Sequence, residues 1–406
     1  MYHVANTDEL TADGVISNQQ AEEIKARARA AMIALCVNTL LIGGVVAATL
    51  GLIFFLADAV SVAVFGGLFL GGGLAILRYG APLYRMFGNA SAVIGAGMLI
   101  GGAGIEIADK LPDTSGLWLL ATSTLIGALF LWRFTIGQVQ LRFAYGAALL
   151  MAACMHISGA YVTAEQFALS GWPMPLIHAY VTALLVGLGL RLDVRFITAL
   201  AIAPFAQMLD TGTYYFHAAY VFYSPESTLS ILQMSVLIGL CLWAVTKGGP
   251  VIKRQAGVLM IMGFVVANLC FLVGSLWGDV VGSHVWGPTY ADFEGDWQAY
   301  NVAKDAFAET AFVINEHVYS IVWALALGAV IIWSAFANRR GLFNAGMTMA
   351  GIHAYTQMFE TFYDEPLAYV IGGLVAIPLA FGLWRLNTVW FGDDRDADIA
   401  GIKAKA

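Results

Sequence analysis

Twelve apolar stretches, each of roughly 17 to 25 residues, follow one another from Met32 to Leu386 and occupy most of the 406-residue chain. A helix of that length crosses about 30 Å of hydrocarbon, and inside a bilayer only helices or closed barrels satisfy their own backbone groups. The segments run over about 31–57, 59–77, 89–108, 116–133, 136–156, 174–190, 194–210, 228–246, 252–277, 314–335, 343–360 and 366–386. Charged residues make up 12% of the chain, where a soluble domain carries about 25%. The expected fold is all-α, a polytopic transmembrane helix bundle of about 12 spans.

The connections alternate in charge. Arg78 and Arg85, Arg133, Arg191 and Arg195, Lys247, Lys253 and Arg254, and Arg339 and Arg340 fall in every second one. The others carry Asp58, Asp109 and Asp113, Glu165, Asp210 and Glu226, Asp292, Glu294 and Asp296, and Asp364 and Glu365. Followed through the chain, this places 18 of the 20 Lys and Arg on one side, with Lys110 and Lys304 opposite. The positive-inside rule makes the basic side cytoplasmic, so both termini are expected there. A missed or invented helix would invert the pattern, and no inversion occurs.

Three regions follow: a cytoplasmic amphipathic helical segment at 1–30, a transmembrane domain at 31–390 and a cytoplasmic tail at 391–406. In the first, Asp13-Gly14 marks a turn, and Ser17 with Gln20 forms a capping box that opens a helix to about Ala30. The polar residues ahead of the first apolar run argue against a cleavable signal, so the first helix is expected to stay as an anchor. The long outer loop, 278–313, holds six acidic residues against one lysine. Within it Tyr300, Ala303, Phe307 and Ala311 recur at helical spacing, which predicts a short amphipathic helix. Repeated small residues, Gly66-Gly67, Gly71-Gly72-Gly73, Gly95, Gly97, Gly101, Gly102 and Gly104, are expected to let the second and third helices approach closely. Asn38 and Asn268 are expected to hydrogen-bond neighbouring helices, and Trp323 to lie buried at mid-depth. Pro204 and Pro378 are expected to kink their helices.

Ionisable groups cluster at the outer helix ends, and the cost of a charge in hydrocarbon makes that the place to look for a site. Glu106, His156 and Asp210 close the third, fifth and seventh segments, and His217 follows the seventh. Glu316 and His317 open the tenth; His353, Gln357 and Glu360 share one face of the eleventh. Glu106, His156, Asp210, His217, Glu316, His317, His353 and Glu360 form a candidate outer vestibule, able in principle to relay protons or hold a divalent metal. The plainer reading leaves them solvated or hydrogen-bonded at headgroup depth. The four cysteines lie inside apolar stretches with no metal spacing. No catalytic motif is present and no cofactor is called for. The net charge of −7 argues against nucleic acid.

The run from Leu10 through Asp13-Gly14-Val15-Ile16-Ser17 to Gln20-Ala21-Glu22-Glu23-Ile24, just before the first span, resembles the opening of a bacterial multi-span family known as domain of unknown function 2157. Gly212-Thr213-Tyr214-Tyr215 looks like a feature of related multi-span proteins. The resemblance implies a bacterial inner-membrane protein with a short cytoplasmic helix and glycine-rich spans, and it implies no reaction. With no charge at the midplane of an expected helix and no catalytic signature, the expected role is a non-enzymatic scaffold or accessory subunit, whose partners are the lipid bilayer and another membrane protein. The alternative is a transporter of a small solute or cation through the outer acidic and histidine groups.

Overall fold

The structure is a computed structural model that describes residues 7–56, 58–209, 226–337, 339–362 and 366–391. Asp210, His217 and the Gly212–Tyr215 segment lie outside the described residues. The chain divides into two compact units, Met1–Ser170 and Gly171–Ala406. Among the described residues nine helices are long and apolar enough to cross a membrane, which gives the protein its multi-pass membrane character.

In the first unit, α1 (Thr7–Ala12) folds back on α2 (Asn18–Leu56). The turn between them uses Gly14 at φ +72°. Ser17 and Gln20 then exchange side-chain to backbone hydrogen bonds at 2.9 and 3.2 Å, the reciprocal box that the spacing predicts. An ion pair of 2.8 Å joins Lys25 to Asp8. The amphipathic segment and the first apolar stretch form one uninterrupted helix of 39 residues, about 58 Å long.

The next helices are α3 (Ala59–Tyr79), α4 (Arg85–Lys110), α5 (Ser115–Ile136) and α6 (Arg142–Gln166). Glycines seven residues apart, Gly66 and Gly73 on α3 against Gly88, Gly95 and Gly102 on α4, bring the two backbones together. A Cβ at Gly73 would stand 2.5 Å from the Ala92 nitrogen, and one at Gly102 would stand 2.7 Å from the Ala59 carbonyl. A Cβ at Gly67, Gly71 or Gly72 would meet nothing among the described residues within 4 Å. Asn38 donates to the carbonyls of Ala34 and Leu83 at 2.7 and 2.8 Å and accepts the Phe87 N–H at 3.1 Å. It thereby ties α2 to the start of α4. The fifth expected segment is misplaced in the sequence reading: Ile136 ends α5, and α6 continues ten residues past 156 to Gln166. Gln166 reaches across to α5, accepting the Gly116 N–H at 3.1 Å and donating to the Ser115 hydroxyl at 2.8 Å.

The second unit contains α7 (Pro173–Leu192), α8 (Arg195–Leu200), α9 (Ile202–Gln207), α10 (Ser227–Lys247), α11 (Pro250–Trp277), α12 (Trp297–Thr310), α13 (Glu316–Phe336), α14 (Arg340–Phe362) and α15 (Pro366–Phe391). The expected single span at 194–210 is instead two six-residue helices broken at Ala201. Pro204 has no N–H to give the Leu200 carbonyl, so the helical ladder cannot pass through this point. Each piece is about 9 Å long, too short to cross a bilayer alone. Pro378, by contrast, sits inside α15 without ending it. The last two helices lie where the eleventh and twelfth spans are expected. Ile202, Ala206, Met234, Val266 and Cys270 form the buried core against which α9, α10 and α11 meet.

The long loop is stapled at its base by a feature the sequence does not announce. Asp279–Val280 (β1) pairs antiparallel with Val313–Ile314 (β2), Asp279 opposite Ile314. Helix α12 occupies the position that the spacing of Tyr300, Ala303 and Phe307 predicts, and Asp296 caps its N-terminus at 2.9 and 3.0 Å. Tyr290, Phe293, Trp297 and Tyr300 pack into an aromatic knot with ring centres 4.4 to 6.0 Å apart.

Candidate functional site

The foot of the long loop is built by two glycines. Gly278 turns the chain out of α11 at φ +68°, a conformation that strains any side chain. A Cβ there would also stand 2.8 Å from the Ile314 carbonyl, inside the sheet. Asp279 is thus carried directly from the end of α11 into β1. One turn earlier, Gly274 gives the Tyr319 ring its seat, since a Cβ would lie 2.6 Å from the ring edge.

Asp279 is 6% exposed, and three donor groups lie within hydrogen-bond reach of its Oδ2. They are the Thr228 backbone N–H at 2.8 Å, the Thr228 hydroxyl at 2.5 Å and the Tyr319 hydroxyl at 3.2 Å. The Thr228 and Tyr319 hydroxyls are also within hydrogen-bond reach of one another, so their two protons are shared among three contacts. Helices α10, α11 and α13 therefore converge on one carboxyl.

Glu226, 0% exposed, stands two residues before Thr228. Its Oε2 accepts the Gly282 N–H at 2.7 Å, and its Oε1 accepts the His284 N–H at 2.6 Å and the Ser283 hydroxyl at 3.2 Å. The His284 ring nitrogen is 3.4 Å away. A buried carboxylate thus supplies acceptors for a loop backbone that would otherwise lose its hydrogen bonds.

The two acids are driven apart electrostatically. Burial pushes the Glu226 carboxyl up, yet the hydrogen bonds from His284 and Gly282 prevail and hold it below the ordinary carboxylate range. Burial also pushes Asp279 up; the Thr228 hydrogen bonds oppose this without cancelling it, and the neighbouring Glu226 charge adds to the rise. Paired acids with opposite shifts mark a place where proton occupancy is set by the fold.

Below this site an aromatic column runs along α11, α13 and α14. Phe271 stacks on Trp323 at 6.4 Å, and Trp323 meets the His353 ring at 4.6 Å. Trp323 is buried and donates its indole N–H to Asn268 Oδ1 at 2.8 Å. At the opposite end of α11, Asp193 is paired with Arg254 and accepts the Gln255 amide at 2.9 Å, while Gln255 accepts the Thr198 hydroxyl at 2.7 Å. The hydrogen bonds from Arg254 and Gln255 hold the Asp193 carboxyl below its usual range.

The residues singled out from sequence are distributed differently. Glu106 lies in the last turn of α4, 4.0 Å from Lys110. His156 lies within α6 rather than at its end, with Nδ1 3.0 and 3.2 Å from the hydroxyls of Ser123 and Thr124. Glu316 and His317 do open α13, where they sit 3.9 Å apart and partly exposed. His353 is half-buried on α14 against Trp323, with Gln357 one turn on. Glu360 falls in α14. Among the described residues no group of three or more His, Cys, Asp or Glu side chains could hold a metal ion.

Glu226 and Asp279 count in the sequence only as acids in polar connections. The available signal was Glu226-Ser227-Thr228 at a helix start and Gly278-Asp279 at a helix end. Nothing in the spacing joins Thr228 to Asp279, 51 positions further on.

No family model matches the chain, and neither a curated protein nor a solved structure matches it.

Proposed function

We propose that the protein is a non-enzymatic scaffold or accessory subunit of the bacterial inner membrane, with about 12 spans, cytoplasmic termini and the long loop outside. The supporting observation is that the loop is tied to the helices at its base by hydrogen bonds and a strand pair. Buried Glu226 and Asp279 anchor its base, an aromatic knot shapes its centre, and α12 presents Ala299, Val302 and Ala306 along an open surface groove. Val302 is 65% exposed, and Asp296 and Asp305 flank the strip. A long loop held in this way suits recognition, and its acidic rim suits a partner with a basic surface.

The test is purification of the tagged protein from native membranes in mild detergent, wild type beside Val302→Lys. A stoichiometric partner that is present with the wild type and lost from the variant supports docking on α12. Equal recovery from both removes α12 from the role.

A second reading, passage of a small cation or solute, is favoured by the broken α8–α9 pair and by α10. Broken helices and buried polar groups recur along transport paths. Ser227 Oγ, Ser230 Oγ and Gln233 Oε1 on α10 are buried and have no hydrogen-bond partner among the described residues. Cation uptake by reconstituted liposomes that Ser230→Val abolishes would favour this reading. Uptake that is absent or unchanged would count against it.

A further inference from the structure

We infer that Asp279, Thr228 and Tyr319 form a proton-binding site at the foot of the long loop, in which one proton on Asp279 closes a ring of three hydrogen-bonded oxygens. This inference is independent of what the loop docks or covers.

Three hydrogen bonds among three oxygens need three protons. Asp279 Oδ2, Thr228 Oγ1 and Tyr319 Oη are mutually within hydrogen-bond reach, which makes three edges. With Asp279 ionised, the two hydroxyls supply two protons, and one edge sets lone pair against lone pair. With Asp279 neutral, its own O–H supplies the third, and each oxygen donates once around the ring. The Thr228 backbone N–H, at 2.8 Å, is accepted by Oδ2 in either state. Proton uptake is thus a simple addition to the carboxylate, with no bond broken elsewhere.

The surroundings favour the neutral form. Asp279 is buried, and among the described residues no Lys, Arg or His side chain pairs with it. The titratable groups near the ring are Glu226 ahead of α10, His284 in the loop, and Tyr319 on α13 with Cys270 of α11 behind it. Glu316 and His317 open α13 but sit partly exposed, paired with each other. Glu226 keeps its negative charge on the loop amides, so a second charge on Asp279 would be buried beside a like charge. Gly274 and Gly278 make the ring possible, one by seating Tyr319 and the other by turning Asp279 under Thr228.

The ring couples proton occupancy to anchoring of the loop. Thr228 belongs to α10, Tyr319 to α13 and Asp279 to the sheet, so closing the ring ties the loop base to two helices. Loss of the proton opens one edge and loosens β1.

Infrared spectroscopy of the full-length protein in lipid nanodiscs, with carboxyl carbons of aspartate isotope-labelled, reads the carboxyl directly across a pH series. The expected result is a protonated aspartate band that persists above the pH at which exposed aspartates ionise. Asp279→Asn removes the band, Tyr319→Phe shifts its frequency and midpoint, and Glu226→Gln keeps it while lowering its midpoint. A spectrum in which every aspartate ionises together overturns the inference, as does a persistent band that survives Asp279→Asn. If Asp279→Asn does not fold, Tyr319→Phe decides: an unchanged band and midpoint in that variant exclude the ring.

Discussion

Glu226 and His284 lie 58 positions apart, yet a buried carboxylate oxygen of Glu226 accepts the His284 backbone N–H at 2.6 Å. The other oxygen takes Gly282. Replacing this carboxylate by an amide leaves one acceptor where two are needed and puts an N–H against an N–H. Glu226→Gln is expected to cost about 2 kcal/mol, the scale of a charge-assisted hydrogen bond, and to raise the exchange rate of the loop-base amides roughly 30-fold. Hydrogen exchange over 279–286 checks this, with α3 and α4 as an internal control that should not change.

The opposite shifts of the two acids predict a two-sided pH dependence. Asp279 is raised on folding, so its stabilising contribution is complete at low pH and is lost as pH rises through its folded value. Glu226 is lowered, so its contribution is complete above the unfolded carboxylate value and is lost as pH falls through its folded value. Protection of the Gly282 and His284 amides, corrected for intrinsic exchange, should peak between the two and fall on both sides. Asp279→Asn should abolish the decline on the alkaline side alone.

Much of this arrangement was open to sequence reasoning and part was closed to it. Helix positions follow from apolar runs because the bilayer fixes their length. Ser17 with Gln20, and the spacing around Tyr300 and Phe307, are local patterns and could be read directly. The break at Ala201 was not read, because Pro204 in an apolar run looks like a kink until the missing N–H is placed against Leu200. The Glu226 and Asp279 pair was invisible for another reason. Its geometry depends on α11 ending at Gly278 and on the pairing of β1 with β2, both of which join distant parts of the chain. His156 and Glu106 are expected at the outer ends of their helices, and their depth depends on helix ends that the apolar runs place loosely, as the extension of α6 to Gln166 shows.

Close packing of α3 on α4 gives a third prediction. A side chain at Gly95 would meet the Leu70 nitrogen and stand 2.6 Å from the Gly66 carbonyl, whereas one at Gly71 meets nothing among the described residues within 4 Å. Gly95→Val should destabilise by about 3 kcal/mol or more, because backbone atoms cannot move aside as side chains do. Gly71→Val should be near neutral. Thermal unfolding of both variants in the same detergent checks the contrast.

The Asn268 to Trp323 hydrogen bond gives a fourth. Interhelical hydrogen bonds in membranes contribute about 1 kcal/mol, so Asn268→Ala and Trp323→Phe should couple by roughly that amount in a double-mutant cycle. Unfolding free energies of the four proteins supply the measurement, and additive effects would show that the bond has no net worth.

The most direct test of the docking account places a photo-cross-linking residue at Val302 and, separately, at Lys304 on a different face of α12, in cells. The account predicts one adduct of defined mass from position 302, absent from position 304, formed in the outer compartment and lost when Ala306→Lys disrupts the strip. No adduct at either position, or adducts to lipid alone, would contradict the role proposed for the long loop.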